Sequence, residues 1–185
     1  MALTKTPVCD FGKKAEDFKL KSIENKIISL NDVKGEKATL IMFICNHCPY
    51  VKAIIRDLAQ ECNELKKDGI NTVAIMTNDT KNYPEDSFDN MIKFAKTNNF
   101  GEINYLIDET QEIARKYGAV CTPDFFGYNK ELKLQYRGRF RELKDLKPVL
   151  GGDSDLKIAM KMISETQAGP KEQIPSMGCN IKWFN

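Results

Sequence analysis

The feature that most constrains this chain is a pair of cysteines between a strand-like segment and a helix-like segment. Cys45 and Cys48 form a CxxC spacing directly after the apolar run 39–44, and apolar residues recur behind it at helical spacing. A strand that leads through CxxC into a helix is typical of a thiol–disulfide redox site. The N–H groups of the first helical turn and the helix dipole favour an anion there, and the thiolate is the reactive form of cysteine.

Composition limits the class of protein. A chain of 185 residues is long enough for one well-packed domain and short for two. Its 28 basic and 26 acidic residues leave a net charge of +2, which argues against nucleic acid or an anionic membrane as partner. The first residues lack the apolar core of a signal peptide, and no stretch reaches the roughly 18–20 apolar residues of a membrane span. We therefore expect a cytoplasmic protein.

The remaining cysteines do not resemble a disulfide framework. Cys9, Cys62, Cys121 and Cys179 are scattered through a sequence that otherwise looks like an ordinary core-forming one. Small secreted domains place their cysteines more densely. In a reducing compartment we expect most of these residues to be thiols, while the CxxC pair cycles between dithiol and disulfide.

The order of the predicted elements is β-α-β-α-β-α-β-β-α. The predicted elements are a hairpin within 17–33, strands near 38–44, 70–76 and 105–107, a polar loop at 79–86, a hairpin over 125–136, and helices behind the CxxC, from about 88, over 110–117 and over 154–164. Such alternation predicts an α/β fold with a central mixed sheet flanked by helices. We expect a single domain with an N-terminal extension (1–37), a core (38–168) and an ordered C-terminal tail (169–185).

Several longer motifs carry a family resemblance. They are Phe43–Lys52, Asn78-Asp79, Tyr83–Asp86, Val120–Phe126, Tyr136–Arg139 and Pro175–Trp183. With these motifs the chain resembles the thioredoxin superfamily, in particular a bacterial peroxiredoxin-like group of AhpC/TSA-type redoxins, from about Phe11 to Trp183. The resemblance implies a thioredoxin-like fold and a redox activity that needs no cofactor.

The CxxC suggests a role for each of its residues. In such a motif the first cysteine is the exposed one, so Cys45 is predicted to be the more accessible and more acidic thiol and the attacking nucleophile, with Cys48 as the resolving thiol. His47 either stabilises the thiolate as a cation or hydrogen-bond donor, or merely lies exposed beside the site. Pro49 is the next supporting residue.

The segment Thr122-Pro123 is the second anchor of the predicted site. In thioredoxin-like folds a cis-proline loop faces the CxxC, and the residue before the proline offers a backbone edge to the substrate. Cis bonds are nearly confined to X-Pro, so we predict a cis bond at Thr122–Pro123, against the sulfur of Cys45. Cys121 would then lie near the CxxC, either as a further redox thiol or as a small apolar packing residue.

The sequence also departs from two relatives of this fold. A peroxidatic site has the pattern Pro-x-x-x-Thr-x-x-Cys, but Ile41 and Cys45 occupy the Pro and Thr positions before Cys48. Arg137 or Arg139 could supply the guanidinium, yet the hydroxyl is missing, which argues against peroxidase activity.

The second departure concerns the base. Thioredoxin has a buried Asp six residues before its first cysteine, and Thr39 occupies that position here. Glu109, Asp108 or water would then have to act as the base.

The C-terminal tail is too apolar to be a free end. Ile174, Met177, Ile181, Trp183 and Phe184 supply its apolar area. We predict that the segment 174–184 packs on the domain with Trp183 at least partly buried. Cys179 within it is either a buried small residue or a further thiol delivered to the site.

Three function classes follow from these residues. The favoured one is a thiol–disulfide oxidoreductase acting on protein or small-molecule disulfides, with an upstream reductase or oxidant that the sequence does not name. The second is a thiol peroxidase. The third is a metal-binding module with Cys45, Cys48, His47 and either Cys121 or Cys179 as ligands. A lone CxxC with one His is a weak zinc signature, so no metal is expected.

Overall fold

The computed structural model describes residues 3–7 and 10–184, so Cys9 lies outside the described residues. The strands are β1 (Leu3–Lys5), β2 (Lys19–Ser22), β3 (Ile27–Ser29), β4 (Ala38–Phe43), β5 (Ile70–Met76), β6 (Asn104–Ile107), β7 (Cys121–Thr122), β8 (Asp124–Asn129), β9 (Leu134–Tyr136), β10 (Leu143–Lys144), β11 (Lys147–Pro148) and β12 (Met177–Asn180). The α-helices are α1 (Leu30–Val33), α2 (Pro49–Lys66), α3 (Phe88–Thr97), α4 (Glu112–Tyr117) and α5 (Asp155–Thr166), with a 3-10 turn at Pro84–Asp86.

A seven-stranded mixed sheet with the order β3-β2-β6-β5-β4-β8-β9 forms the centre of the molecule. Strands β4, β5 and β6 are parallel, while β8 and β9 add an antiparallel hairpin on one side and β2 and β3 add another on the other side. The predicted α/β fold with a central mixed sheet is confirmed.

Strand β4 is buried on both faces, as its continuous apolar sequence predicts for the middle of a covered sheet. Leu40 and Met42 point to a core shared with α2, α3 and α5. Ile41 and Phe43 point to the opposite core, which α1 and α4 cover. Successive side chains of a strand alternate between faces, so this one strand holds both cores together and fixes the position of the CxxC at its end.

The tail forms a second, small sheet. Strand β12 lies between β1 and β7, antiparallel to both. Trp183 is partly buried, and the guanidinium of Arg115 lies 4.3 Å from the centre of its ring. The predicted ordering of segment 174–184 is confirmed, and its strand docks directly beside Thr122.

No helix in the described ranges is both long and apolar enough to cross a membrane.

Candidate active site

The CxxC lies where β4 passes into α2. Cys48 is the N-cap of α2, and Pro49 occupies the first helical position, where its missing N–H costs no hydrogen bond. The Cys48 carbonyl accepts the first helical bond from the N–H of Lys52 at 2.9 Å. The sulfur of Cys48 is therefore held at the positive end of an 18-residue helix.

The second wall of the site is the loop before β8. The Thr122–Pro123 bond is cis, as predicted. The Sγ of Cys45 lies 3.3 Å from the Oγ1 of Thr122, and the Sγ of Cys48 lies 3.2 Å from the Thr122 carbonyl oxygen. The predicted contact between this loop and the sulfur of Cys45 is confirmed, and one residue thus touches both thiols.

The tail brings a third thiol to the pair. Cys179 is the register partner of Thr122 in the β7–β12 pairing. Its Sγ lies 2.9 Å from the Sγ of Cys48. Cys121, although adjacent in the chain to Thr122, turns its Sγ toward the Pro123 carbonyl at 3.6 Å, and burial raises the pKa of its thiol. Of the two further cysteines, the structure brings Cys179 into contact with the CxxC, whereas Cys121 packs beside it.

A buried carboxylate completes the other side of the site. Asp86 is fully buried and accepts hydrogen bonds from the N–H of Asn46 at 2.8 Å and from the amide of Asn78 at 2.9 Å. Its Oδ2 lies 2.7 Å from Nδ1 of His47, whose ring stacks on Tyr83. The sequence predicts only a polar loop at 79–86 and does not point to Asp86. The signal that could identify it is the Tyr83–Asp86 motif, which is among those that carry the family resemblance.

The charges of this pair are set by their contact. Burial alone would raise the pKa of Asp86, but the hydrogen bonds from His47 and Asn78 outweigh it and lower the pKa. The hydrogen bond to Asp86 raises the pKa of His47 above its ordinary value. His47 is therefore an oriented imidazole whose cationic form is stabilised by Asp86, which favours the tuning role over the role of an exposed bystander.

The acidity of the two thiols differs from the prediction. The hydrogen bond with Cys48 and burial raise the pKa of Cys45, and the nearby negative charge of Asp86 adds to this. The hydrogen bonds from Cys45 and Cys179 and the backbone N–H of Val51 lower the pKa of Cys48 despite its burial. The thiolate is thus favoured on Cys48, and the prediction that Cys45 is the more acidic thiol is wrong.

Both thiols are buried, so the expectation that the first cysteine of the motif is exposed does not hold. Cys45 is 1% exposed and Cys48 is 0% exposed. A cleft of about 250 Å³ lies next to them, lined by Pro123, Tyr50 and Met177 among others, but neither sulfur lines it. The physical reason is that Thr122 contacts both sulfurs and Cys179 of β12 contacts the sulfur of Cys48, which a local reading of the CxxC does not reveal.

Of the other acidic candidates, Asp108 is engaged in structural contacts and Glu109 is exposed. Asp108 accepts hydrogen bonds from the hydroxyl of Thr77 at 3.0 Å and from the N–H of Ala114 at 2.9 Å, which tie β5 to α4. Thr39 accepts a hydrogen bond from the N–H of Gly35. The carboxylate that the structure brings to the thiols is Asp86, so the expectation of Asp108 or Glu109 as a base loses its support.

The candidate arginines are likewise paired. Arg137 is buried and contacts the carboxylate of Asp124 at 3.1 Å, and Arg139 contacts Asp155 at 2.5 Å.

Cys45, His47 and Asp86 are close enough to share a metal ion, since one ligand atom of each lies within 4.8 Å of the others. His47 and Asp86 hydrogen-bond directly to each other, so a metal ion is not needed to explain why they lie close together. A structural zinc site also needs a fourth ligand, and this group supplies three.

The fold and this dithiol site define a thioredoxin-like redoxin. Residues 11–139 match the family described as AhpC/TSA, and the chain belongs to that family. Membership supports a redox function. A search of curated proteins found no match.

Solved structures agree with this assignment. The chain is similar to an uncharacterized conserved protein from Geobacillus kaustophilus, with 38% identity, a TM-score of 0.94 and coverage of 100% of this chain and 97% of that one. A hypothetical protein from Sinorhizobium meliloti has 35% identity, a TM-score of 0.89 and 98% coverage of both chains. A secreted disulfide oxidoreductase from Mycobacterium tuberculosis shares the fold at 19% identity and a TM-score of 0.54, over 64% of this chain and 80% of that one.

Proposed function

We propose that the protein is a thiol–disulfide oxidoreductase that acts on protein or small-molecule disulfides by cycling Cys45 and Cys48 between dithiol and disulfide. The observation that carries the proposal is the placement of both sulfurs against Thr122, at 3.3 and 3.2 Å, beside the positive end of α2. Thiol–disulfide exchange needs a stabilised thiolate and a second thiol within reach, and the pair supplies both. Family membership adds independent support.

We further propose that Cys48 attacks first. Its thiolate bonds to one sulfur of the substrate disulfide, and the other substrate sulfur leaves as a thiolate and takes up a proton. Cys45 then loses its proton and attacks the Sγ of Cys48, which releases the second substrate sulfur. The substrate gains two electrons and two protons, and the protein is left with a Cys45–Cys48 disulfide.

The pair His47–Asp86 supports the thiolate in this scheme. A protonated His47 next to the CxxC stabilises negative charge on Cys48 by electrostatic attraction. The same attraction also raises the pKa of His47. Asp86 keeps His47 oriented through the 2.7 Å contact. Neither group needs to bond to the substrate.

We propose the cytoplasm as the compartment of this activity. Cys62 and Cys121 are buried thiols away from any disulfide framework among the described residues, a usage typical of reducing conditions. The partners are then protein or small-molecule disulfides, reduced or oxidised in turn by a second thiol system.

Peptide mapping of the oxidised protein tests the cycle. Wild type equilibrated with oxidised glutathione should contain a Cys45–Cys48 disulfide that dithiothreitol reverses, and it should reduce a chromogenic disulfide catalytically. Cys48→Ser should abolish turnover, whereas Cys62→Ser, a buried cysteine outside the site, should retain it. Absence of the Cys45–Cys48 disulfide, or full turnover by Cys48→Ser, would overturn the proposal.

The order of attack is tested in variants that keep one thiol of the site. Cys45→Ser combined with Cys179→Ser leaves Cys48, and Cys48→Ser combined with Cys179→Ser leaves Cys45. With limiting oxidised glutathione, the mixed disulfide should form faster on Cys48. Faster capture on Cys45 would reverse the assignment and leave the dithiol cycle intact.

A further inference from the structure

The segment 176–182 occupies the backbone edge beside Thr122, the edge that the resemblance to thioredoxin-like folds assigns to a substrate. In β7, Thr122 pairs with Cys179 of β12 in an antiparallel register. The sulfur of Cys179 is thereby brought to 2.9 Å from the sulfur of Cys48, whereas a formed S–S bond measures about 2.05 Å. The chain thus presents one of its own thiols at the position of an incoming sulfur.

The docking of this segment is built into the fold at three points. Ser176 donates from its hydroxyl to the Pro123 carbonyl at 2.8 Å, and the N–H of Lys182 donates to the side chain of Asn78 at 2.9 Å. Between these two residues, Gly178 allows β12 to approach β7 closely, because a Cβ at this position would lie 2.0 Å from the Thr122 carbonyl oxygen. These contacts, on both sides of Cys179, hold its sulfur at the dithiol.

We propose that Cys179 is a third redox thiol, which exchanges with the Cys45–Cys48 disulfide to give a Cys48–Cys179 disulfide. The proposal deepens the proposed function and rests on it, because it requires the dithiol cycle. Cys48 is the shared member of both disulfides, since it contacts both other sulfurs.

The exchange is balanced without an oxidant. Cys179, as the thiolate, attacks the Sγ of Cys48; the Cys48–Cys179 bond forms and the Cys45–Cys48 bond breaks. Cys45 leaves with the electron pair of the broken bond and takes up the proton that Cys179 has lost. The protein keeps one disulfide throughout. That disulfide changes from Cys45–Cys48, between β4 and α2, to Cys48–Cys179, which links the start of α2 to β12.

This exchange has a consequence for the proposed cycle. The Cys48–Cys179 disulfide fixes β12 on the edge beside Thr122 and returns Cys45 to the thiol form. Reduction of that disulfide removes the covalent tie, and β12 is then held on the edge by its backbone pairing and hydrogen bonds, as in the structure. The third thiol therefore couples the oxidation state of the protein to how tightly the substrate edge is covered.

Peptide mapping of Cys45→Ser tests the proposal. Oxidised glutathione should convert this variant mainly to a Cys48–Cys179 disulfide, through a mixed disulfide on Cys48 that Cys179 resolves. Cys121, on the neighbouring strand, is the internal control and should remain a thiol. If Cys45→Ser stops at the glutathione mixed disulfide, the proposal is overturned, while a Cys45–Cys48 disulfide in wild type would leave the proposed function standing.

A pair of substitutions at Cys179 separates redox chemistry from hydrogen bonding. Cys179→Ser keeps a donor to Cys48 and removes the sulfur, whereas Cys179→Ala removes both. Oxidised wild type should be a mixture of molecules with the Cys45–Cys48 disulfide and molecules with the Cys48–Cys179 disulfide, whereas both variants should contain the Cys45–Cys48 disulfide only. The ultraviolet absorbance of the thiolate should titrate at a higher pH in Cys179→Ala than in Cys179→Ser. If oxidised wild type yields only the Cys45–Cys48 disulfide, Cys179 is a hydrogen-bond donor alone and the exchange is refuted.

Discussion

Two walls of different construction enclose the dithiol. The polar wall consists of Asn46, His47, Asn78 and Asp86, and the strand wall consists of Thr122 and residues 176–182. The polar wall acts through charge, because a fully buried carboxylate there holds an imidazole at 2.7 Å. The strand wall acts through backbone pairing and covers the sulfurs. The comparison teaches that access depends on the strand wall, whereas both walls bear on acidity: beyond the hydrogen bond between the two thiols, Cys179 lowers the pKa of Cys48, and the charge of Asp86 raises the pKa of Cys45.

The two walls meet at Asn78. Its amide donates to Asp86 at 2.9 Å, and its side-chain oxygen accepts from the N–H of Lys182 at 2.9 Å. One side chain therefore joins the charged pair to the covering segment. If the walls are separable in function, a change in one should leave the property controlled by the other nearly unaltered.

The largest expected effect comes from opening the strand wall with Gly178→Ala. The new Cβ would overlap the Thr122 carbonyl, and overpacking of this kind costs about 1–3 kcal/mol. We expect that cost to favour local release of β12, so the rate of alkylation of Cys45 and Cys48 by iodoacetamide should rise about 5- to 150-fold.

Met177→Ala is the matched control, because this neighbour in β12 is exposed and its substitution leaves the backbone pairing in place. Its alkylation rate should equal that of wild type. Unchanged alkylation in Gly178→Ala, measured at equal folded fraction, would mean that β12 does not control access to the thiols.

Asp86→Asn tests the polar wall through its pH dependence. The pKa of His47 is raised above its ordinary 6.5, so the stabilisation it gains from Asp86 is complete below that value and is lost as the pH rises through the raised pKa. The pKa of Asp86 is lowered from 3.8, so its contribution is lost as the pH falls through that lowered pKa. Between these limits, Asp86→Asn should lower the free energy of unfolding by about 1.5–3 kcal/mol, the usual worth of a hydrogen bond to a charged group.

Two measurements check this prediction. Denaturant unfolding should show the difference between wild type and Asp86→Asn shrinking on the alkaline side, and proton NMR of the single histidine should show a lower pKa for His47 in the variant. His47→Gln, which removes the charged partner, should make the Asp86 substitution far less costly. A difference in stability that is constant from pH 5 to pH 9 would contradict the charge-based account of this wall.

The two walls also differ in what the sequence reveals. The position of Cys45 and Cys48 follows from a local pattern, because an apolar strand, a CxxC and an amphipathic helix are contiguous. The contact of the Thr122–Pro123 loop with the sulfur of Cys45 follows from a resemblance, which supplies the facing loop, whereas the contact of Thr122 with Cys48 is seen only in the structure. Both predictions, the position of the CxxC and that of the facing loop, depend on short segments whose sequence pattern is distinctive.

The missed parts of the site arise from distant contacts. Cys48 and Cys179 are 131 residues apart in the chain, and Asn46 and Asp86 are 40 apart. The burial of Asp86 and the covering of the sulfurs depend on tertiary pairing that no periodicity encodes. The wrong prediction for the acidity of Cys45 has a different origin, because the largest cause of both pKa shifts is the hydrogen bond between Cys45 and Cys48, to which Asp86 and Cys179 add from distant parts of the chain.

The smallest expected effect concerns the far end of the strand wall. The guanidinium of Arg115 on α4 lies 4.3 Å from the ring centre of Trp183, and a cation–π contact at a partly exposed position contributes about 0.5–1 kcal/mol. Arg115→Ala should lower the free energy of unfolding by that amount, and Arg115→Lys should recover part of it. Trp183 is the single tryptophan, so its fluorescence reports directly on this contact.

Because the contact lies beyond Lys182, whose N–H is anchored to Asn78, the alkylation rate of the thiols should stay at the wild-type value. An increase of alkylation in Arg115→Ala comparable with that of Gly178→Ala would mean that the segment releases as one unit from Ser176 to Trp183.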